Sequence, residues 1–164
     1  MSLFAITSAP LSVDALAAEV ARLAAGSGEG CGAVTTFAGL VRAHHQGRRV
    51  LYLEYEAYEL LALNVFAQIQ QEAADAWPGV VMGLHHRVGR LEIGDPSIVI
   101  AAASAHRAPS FEVCRYAIER VKQIAPIWKH EYFEGGAAWV DGALVDPLDS
   151  EARQQARARA CTSA

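Results

Sequence analysis

The sequence predicts an α+β fold, and three observations carry that reading. Stretches with apolar residues every three or four positions alternate with stretches rich in β-branched and aromatic residues. Proline, glycine and serine clusters fall between them, short enough to be turns within one domain. The composition, 52% hydrophobic and 20% charged over 164 residues, is that of a chain that can bury a sizeable core.

The elements follow in order. Leu3 to Thr7 read as a strand, and Ser12 is placed to cap a helix with Leu16, Ala17, Val20 and Leu23 on its apolar side, ended by Gly26 to Gly30. Gly32 to Val41 and Val50 to Tyr55 read as strands, and the polar turn His44 to Arg48 makes a hairpin of the two the simplest arrangement. Glu59 to Trp77 is a helix with Leu60, Leu63, Phe66 and Ile69 at helical spacing, stopped by Pro78 and Gly79. Two strands follow, Val80 to Val88 and Ser97 to Ala105, separated by turn residues. Pro109 suits a first helical turn and Pro126 cannot continue a helix, which brackets Pro109 to Ala125. Ile127 to Phe133 and Ala137 to Val140 are short strands. Residues 1–148 are expected to form a single domain and 149–164 a C-terminal tail, helical or frayed, with Glu151 early and Arg153, Arg157 and Arg159 late.

Composition also narrows function. No apolar run approaches the roughly 18 residues of a membrane span, and Met1 to Pro10 has no positive charge ahead of its apolar residues, so the chain is expected to be cytoplasmic. A net charge of -4 offers no basic field for nucleic acid, so any anion site must be local. Cys31, Cys114 and Cys161 are too widely spaced for a disulfide framework or a zinc site. Adjacent histidines at His44-His45 and His85-His86 point to opposite faces of a strand, and no cysteine or carboxylate lies at zinc-ligand spacing, so no metal is expected; no cofactor is expected either.

Candidate chemistry concentrates around one helix. Ser104-Ala105-His106-Arg107-Ala108-Pro109 puts two potential cations where a strand passes into a helix start, a place that binds anions through free N–H groups and the dipole. The same two residues could equally be polar loop groups bonded to nearby carbonyls. Phe111, Cys114, Ile118, Val121 and Ala125 form an apolar stripe with Lys122 at its edge, so Lys122 is expected to be partly buried, either as a base or nucleophile or as a snorkelling boundary lysine. Lys129 lies seven residues on, in a strand whose alternation puts Ile127, Lys129 and Glu131 on one face. Glu131 could steady an ammonium there, or the two could be an ordinary surface ion pair. Arg42 ends the first hairpin strand after Gly39, as another phosphate contact or a solvated charge.

The motifs Gly32-Ala33-Val34-Thr35-Thr36-Phe37-Ala38-Gly39-Leu40-Val41-Arg42, Leu53-Glu54-Tyr55-Glu56-Ala57-Tyr58 and His86-Arg87-Val88-Gly89 resemble the molybdopterin synthase large-subunit family. So do Ser104-Ala105-His106-Arg107 and Lys122-Gln123-Ile124-Ala125-Pro126-Ile127-Trp128-Lys129-His130-Glu131, and the resemblance runs in order from about Ala33 to Val140. It implies an α/β hammerhead fold with a mixed or antiparallel sheet and flanking helices. It further implies a homodimer within a heterotetramer, with a small ubiquitin-like sulfur carrier docked at each end. The carrier's Gly-Gly C-terminus, as a thiocarboxylate, would deliver sulfur to cyclic pyranopterin monophosphate, two transfers making one dithiolene. By the same resemblance Lys122 and Lys129 are catalytic, Arg42, His106 and Arg107 bind the substrate anion, and Leu40, Val41, His130 and Glu131 complete the substrate-binding set.

One cationic pocket of Arg42, His106, Arg107, Lys122 and Lys129 is therefore expected. Leu40 stands where some relatives carry lysine and His130 where arginine is frequent. Asp141-Gly142-Ala143 lacks an arginine that some relatives place there, and Arg153 is a candidate to replace it. Two other readings are a non-catalytic scaffold for a ubiquitin-like carrier and a phosphate-binding enzyme unrelated to molybdenum; the second lacks a glycine-rich phosphate loop.

Overall fold

A computed structural model describes residues 1–26, 28–140 and 144–161. The elements run β1 (Phe4–Thr7), α1 (Val13–Ala25), β2 (Ala33–Leu40), β3 (His44–His45), β4 (Arg48–Ala57), α2 (Glu59–Ala76), β5 (Val81–Arg87), β6 (Gly89–Glu92), β7 (Pro96–Ser104), α3 (Arg107–Ile124), β8 (Ile127–Phe133), β9 (Gly136–Val140) and α4 (Ser150–Cys161). This is the α+β content that the periodicities predict. One sheet has the order β1-β5-β7-β2, with β1 parallel to β5 and the other pairs antiparallel. The other has the order β3-β4-β8-β9, with β6 sharing an edge of β4.

The first sheet is covered on both faces, which explains why β7 is apolar almost throughout. Its alternation sends Val99, Ala101 and Ala103 against Leu16, Val20 and Ala24 of α1. Ile98, Ile100 and Ala102 go the other way, into the main core with α2 and α3. Small residues let the helix come close: a Cβ at Gly83 would lie 2.6 Å from Leu16 Cδ1. Ser12 caps α1, its Oγ accepting from Ala15 N–H at 3.2 Å.

Three details differ from the sequence reading. The expected hairpin of Gly32–Val41 with Val50–Tyr55 does not form, because β2 pairs with β7 from Ala33↔Ser104 to Leu40↔Pro96. The tight hairpin is instead β3–β4, where Gln46 and Gly47 both have positive φ, 49° and 76°, as the tightest hairpin turns require. β6 lies inside the segment read as turns, its one buried apolar residue, Leu91, being too weak a pattern to show a strand. Leu60, expected on the apolar face of α2, is exposed, because that face is made by Ala62, Val65, Phe66, Ile69 and Ala73.

Helices α2, α3 and α4 are held by a buried polar network. Arg120, fully buried, donates through Nε and Nη2 to the two oxygens of Glu72 at 2.9 and 2.8 Å. Tyr116 O–H and Gln68 Nε2 also donate to Glu72, at 2.7 and 3.0 Å. The C-terminal segment forms α4, which buries Ala152, Ala156 and Ala160. None of the described helices is long and apolar enough to cross a membrane.

Candidate active site

Between the end of the first sheet, the inner face of the second and the last turns of α3 lies a cavity of about 540 Å³. Each side chain on it has a local cause. At Gly39 the register of β2 slips, and a Cβ there would meet Ile98 Cγ2 at 2.7 Å, so only glycine lets the strand pass under that methyl. The slip turns Leu40 and Arg42 to the exposed rim while Val41 is buried, its N–H donating to the Asp95 carbonyl at 3.0 Å. Lys122 stands in the last turn of α3, where the negative end of the dipole favours a cation. Pro126 breaks the helix, and the period of two in β8 turns Ile127, Lys129 and Glu131 to the cavity.

Glu131 organises this wall. It is 6% exposed, its Oε1 lies 2.7 Å from Lys129 Nζ, and its Oε2 accepts from His45 Nδ1 at 2.8 Å. Burial pushes its carboxyl up, but the hydrogen bonds from Lys129 and His45 outweigh this and hold it below the usual carboxylate range. Deeper in, Tyr55 meets His86 edge-on at 5.0 Å. The buried His86 donates from Nδ1 to the Arg87 carbonyl at 2.9 Å, and burial pushes its imidazole down to about 4, so it is neutral near pH 7. Burial raises the Tyr55 phenol; a hydrogen bond with Ser97 opposes this and the charge of Glu131 adds to it.

The structure thus brings Leu40, Val41, Arg42, Lys122, Lys129 and Glu131 to one cavity. It does not bring His106, Arg107 or His130 there. His106 and Arg107 are exposed at the opposite end of the 18-residue α3. At 1.5 Å per residue, Arg107 and Lys122 stand roughly 22 Å apart along the axis. His106 lines a separate depression with Glu29, Pro78 and Ser104. The expected single-chain pocket of five cations is therefore corrected, because two of its motifs are the two ends of one helix. His130 lies on the outer face of β8, stacked on Trp139 with ring centroids 4.5 Å apart.

Other placements also differ. Lys122 is exposed rather than partly buried, and so is Phe111. The rest of the predicted stripe holds, Cys114, Val121 and Ala125 being buried and Ile118 packed against the core, while Val113, Tyr116, Ala117, Arg120 and Ile124 widen the buried face of α3 beyond it. Arg153 sits in a cleft with Glu72, Asp75 and Arg157, away from the cavity. Asp141, Gly142 and Ala143 lie outside the described residues. His45, Tyr55 and Ser97 are cavity residues that the sequence reading missed. The only hint was that a glutamate facing inward on β8 needs a donor, and the donor His45 stands 86 residues away.

Residues 6–124 match the profile of the MoaE protein family. The chain belongs to the MoaE family. It is 51% identical over 113 residues to the molybdopterin synthase catalytic subunit of Halalkalibacterium halodurans, covering 69% of this chain and 72% of that protein. Its fold is similar to the crystal structure of molybdopterin synthase from Staphylococcus aureus, with a TM-score of 0.79 and 38% identity over 86% of this chain and 98% of that one. A more distant MoaE-like fold is found in the Helicobacter pylori complex of subunits 1 and 2 of molybdopterin-converting factor. There the TM-score is 0.71 and the identity 23%, over 92% of this chain and 99% of that one. As a MoaE protein, the chain is an enzyme of molybdenum cofactor biosynthesis, the catalytic subunit of a molybdopterin synthase.

Proposed function

We propose that the cavity is where a thiocarboxylate sulfur passes from the Gly-Gly C-terminus of a small ubiquitin-like carrier to cyclic pyranopterin monophosphate. One observation supports this above the others: Arg42, Lys122 and Lys129, from three separate segments, line one cavity of a chain whose net charge is -4. A cyclic phosphate and a carboxyl-type donor both need such a local cationic field. Lys122, exposed at the rim, polarises or attacks the thiocarboxylate carbon. Lys129, held by Glu131, neutralises the charge that develops and meets the phosphate, and Arg42 grips it from the opposite wall. Each transfer forms one carbon–sulfur bond on the pterin side and breaks one carbon–oxygen bond there, its oxygen leaving as water or on the phosphate, while water cleaves the carbon–sulfur bond to the carrier, which leaves as a carboxylate. Two rounds supply the dithiolene. The reaction belongs in the cytoplasm.

His106 and Arg107 enter this proposal through a second copy of the chain. One copy cannot carry them across the length of α3, whereas a homodimer, with a carrier on each protomer, gives the neighbouring copy's pair a route to the cavity rim. The test uses thiocarboxylated carrier and measures dithiolene formation. Lys122→Ala and Lys129→Ala each lower turnover by at least about a hundredfold, as loss of a preorganised charge does. Inactive Lys129→Ala and Arg107→Ala chains, mixed and allowed to exchange, recover roughly a quarter of normal activity, because half of the two-fold dimers are hybrids with one intact site of two. Near-normal turnover by either lysine variant overturns the assignment of the cavity; inactive hybrids overturn the shared site alone.

A further inference from the structure

The geometry points to His45 as a positioning residue for sulfur transfer, acting on Lys129 through Glu131 rather than on the substrate. This rests on the reading of Lys129 as a substrate contact. His45 enters none of the transfer steps proposed above and sits at the turn of the β3–β4 hairpin, paired with Arg48. Its side chain is 23% exposed, yet it reaches across to β8, where its Nδ1 lies 2.8 Å from Glu131 Oε2. The other oxygen of the same carboxylate holds Lys129 Nζ at 2.7 Å. A carboxylate gripped at one oxygen only can rotate about its last torsion, which is broad. Gripped at both, it is fixed in one plane, and the ammonium it holds is fixed with it. Without His45, Glu131 Oε2 would be a buried acceptor with no other donor among the described residues, free to take the Lys129 ammonium for itself and draw it from the cavity.

The donor also sets a tautomer. Facing a carboxylate that takes protons only at low pH, Nδ1 must carry the hydrogen. The hairpin makes this reach possible, because the two positive-φ residues that follow His45 close the turn at once and keep His45 beside Arg48 at the start of β4, the strand that pairs with β8. The role asks only for an N–H at the position of Nδ1. Asparagine can supply one, since its amide nitrogen occupies nearly the same place, whereas alanine cannot.

The experiment compares His45→Ala, His45→Asn and Lys129→Ala in the full chain with thiocarboxylated carrier, recording kcat, KM for the pterin substrate and Tm. The expected result is that His45→Ala lowers kcat on the order of tenfold to a hundredfold, the scale of a misplacement of about 1 Å. KM and Tm change little, and His45→Asn restores most of the loss. If His45→Ala and His45→Asn lose activity equally, or if the loss follows a fall in Tm that Asn does not repair, the positioning role is wrong. If both turn over normally while Lys129→Ala is inactive, His45 has no role and the cavity assignment stands. Normal turnover by Lys129→Ala removes both at once.

Discussion

Two carboxylates of this chain, Glu72 and Glu131, are both drawn below the usual range by basic partners, yet they serve opposite ends. Glu72 lies between α2 and α3 and accepts from Arg120, Tyr116 and Gln68, all of them fixed by helices, while Arg120 Nη2 and Gln68 Nε2 also bind the Pro147 carbonyl ahead of α4. Tyr116 O–H, Arg120 Nε and Nη2 and Gln68 Nε2 are all spent inside that network, even though Glu72 and Tyr116 border the cleft that holds Asp75, Arg153 and Arg157. Among the described residues Glu131 has two partners, and one of them, Lys129, is an ammonium with three hydrogens on a cavity wall. A saturated buried ion pair fixes a fold, whereas an unsaturated one beside a cavity is free to meet a substrate. The core side of the molecule is built to be closed and the cavity side to be completed.

The strongest way to break this comparison is to empty one side of the Glu72 network. Arg120→Ala leaves a buried carboxylate without its counter-charge and should cost about 3–5 kcal/mol of stability, read from urea unfolding. The double substitution Glu72→Leu with Arg120→Met should recover much of that loss, because apolar residues of similar size remove the desolvation cost of both charges. A small effect of Arg120→Ala would mean that the network is open to water and that the contrast with Glu131 is false.

Acid titration sharpens the comparison next. The folded His86 imidazole stays neutral down to about 4, while the unfolded chain takes up a proton below about 6.5. Protons therefore favour the unfolded state, so stability is complete above pH 6.5 and falls as the pH drops toward 4. The drop is on the order of 3 kcal/mol, at 1.36 kcal/mol per pH unit. The carboxyls of Glu72 and Glu131, depressed by their partners, keep their contribution above pH 4.5 and lose it only as the pH falls through their lowered values. Acid unfolding should thus begin on the cavity side, at His86. His86→Asn, which keeps a donor for the Arg87 carbonyl and cannot be protonated, should flatten the slope between pH 4 and 6.5; an unchanged slope would assign it elsewhere.

Much of this was legible from the residues, and most of the failures share one cause. Period and punctuation place α1, α2, α3, β5, β7 and β8 within a few residues, because each is specified by its own segment: Ser12 caps locally, Pro126 stops locally, and the alternation of β8 turns Lys129 and Glu131 to one side without reference to anything else. What sequence could not show is pairing at a distance. β2 chose β7 over β4, His45 found Glu131 across 86 residues, and Arg120, an arginine on a helix, proved to be fully buried by a partner on α2. The separation of His106 and Arg107 from Lys122 was, by contrast, already contained in the sequence: one pair stands at the start of the helix bracketed by Pro109 and Pro126 and the lysine near its end, and the rise per residue keeps them apart.

The smallest effect tests whether burial, rather than charge pairing as such, makes the difference. Glu119 and Arg120 are neighbours on α3, and each has an opposite-charge partner: Arg159 Nη1 lies 3.0 Å from Glu119 Oε2, while Arg120 binds Glu72. The first pair joins α3 to α4 with side chains 58% and 26% exposed; in the second they are 0% and 7% exposed. If opposite charges at hydrogen-bond distance were sufficient, losing either pair would cost alike. Water screens the exposed pair and holding a long arginine in place costs entropy, so Arg159→Ala should cost about 0–1 kcal/mol and less still at high salt. Urea unfolding at low and high salt checks this directly. A loss comparable to that of Arg120→Ala would mean that α4 depends on its surface charge, and the buried Ala152, Ala156 and Ala160 could not then be what holds the helix in place.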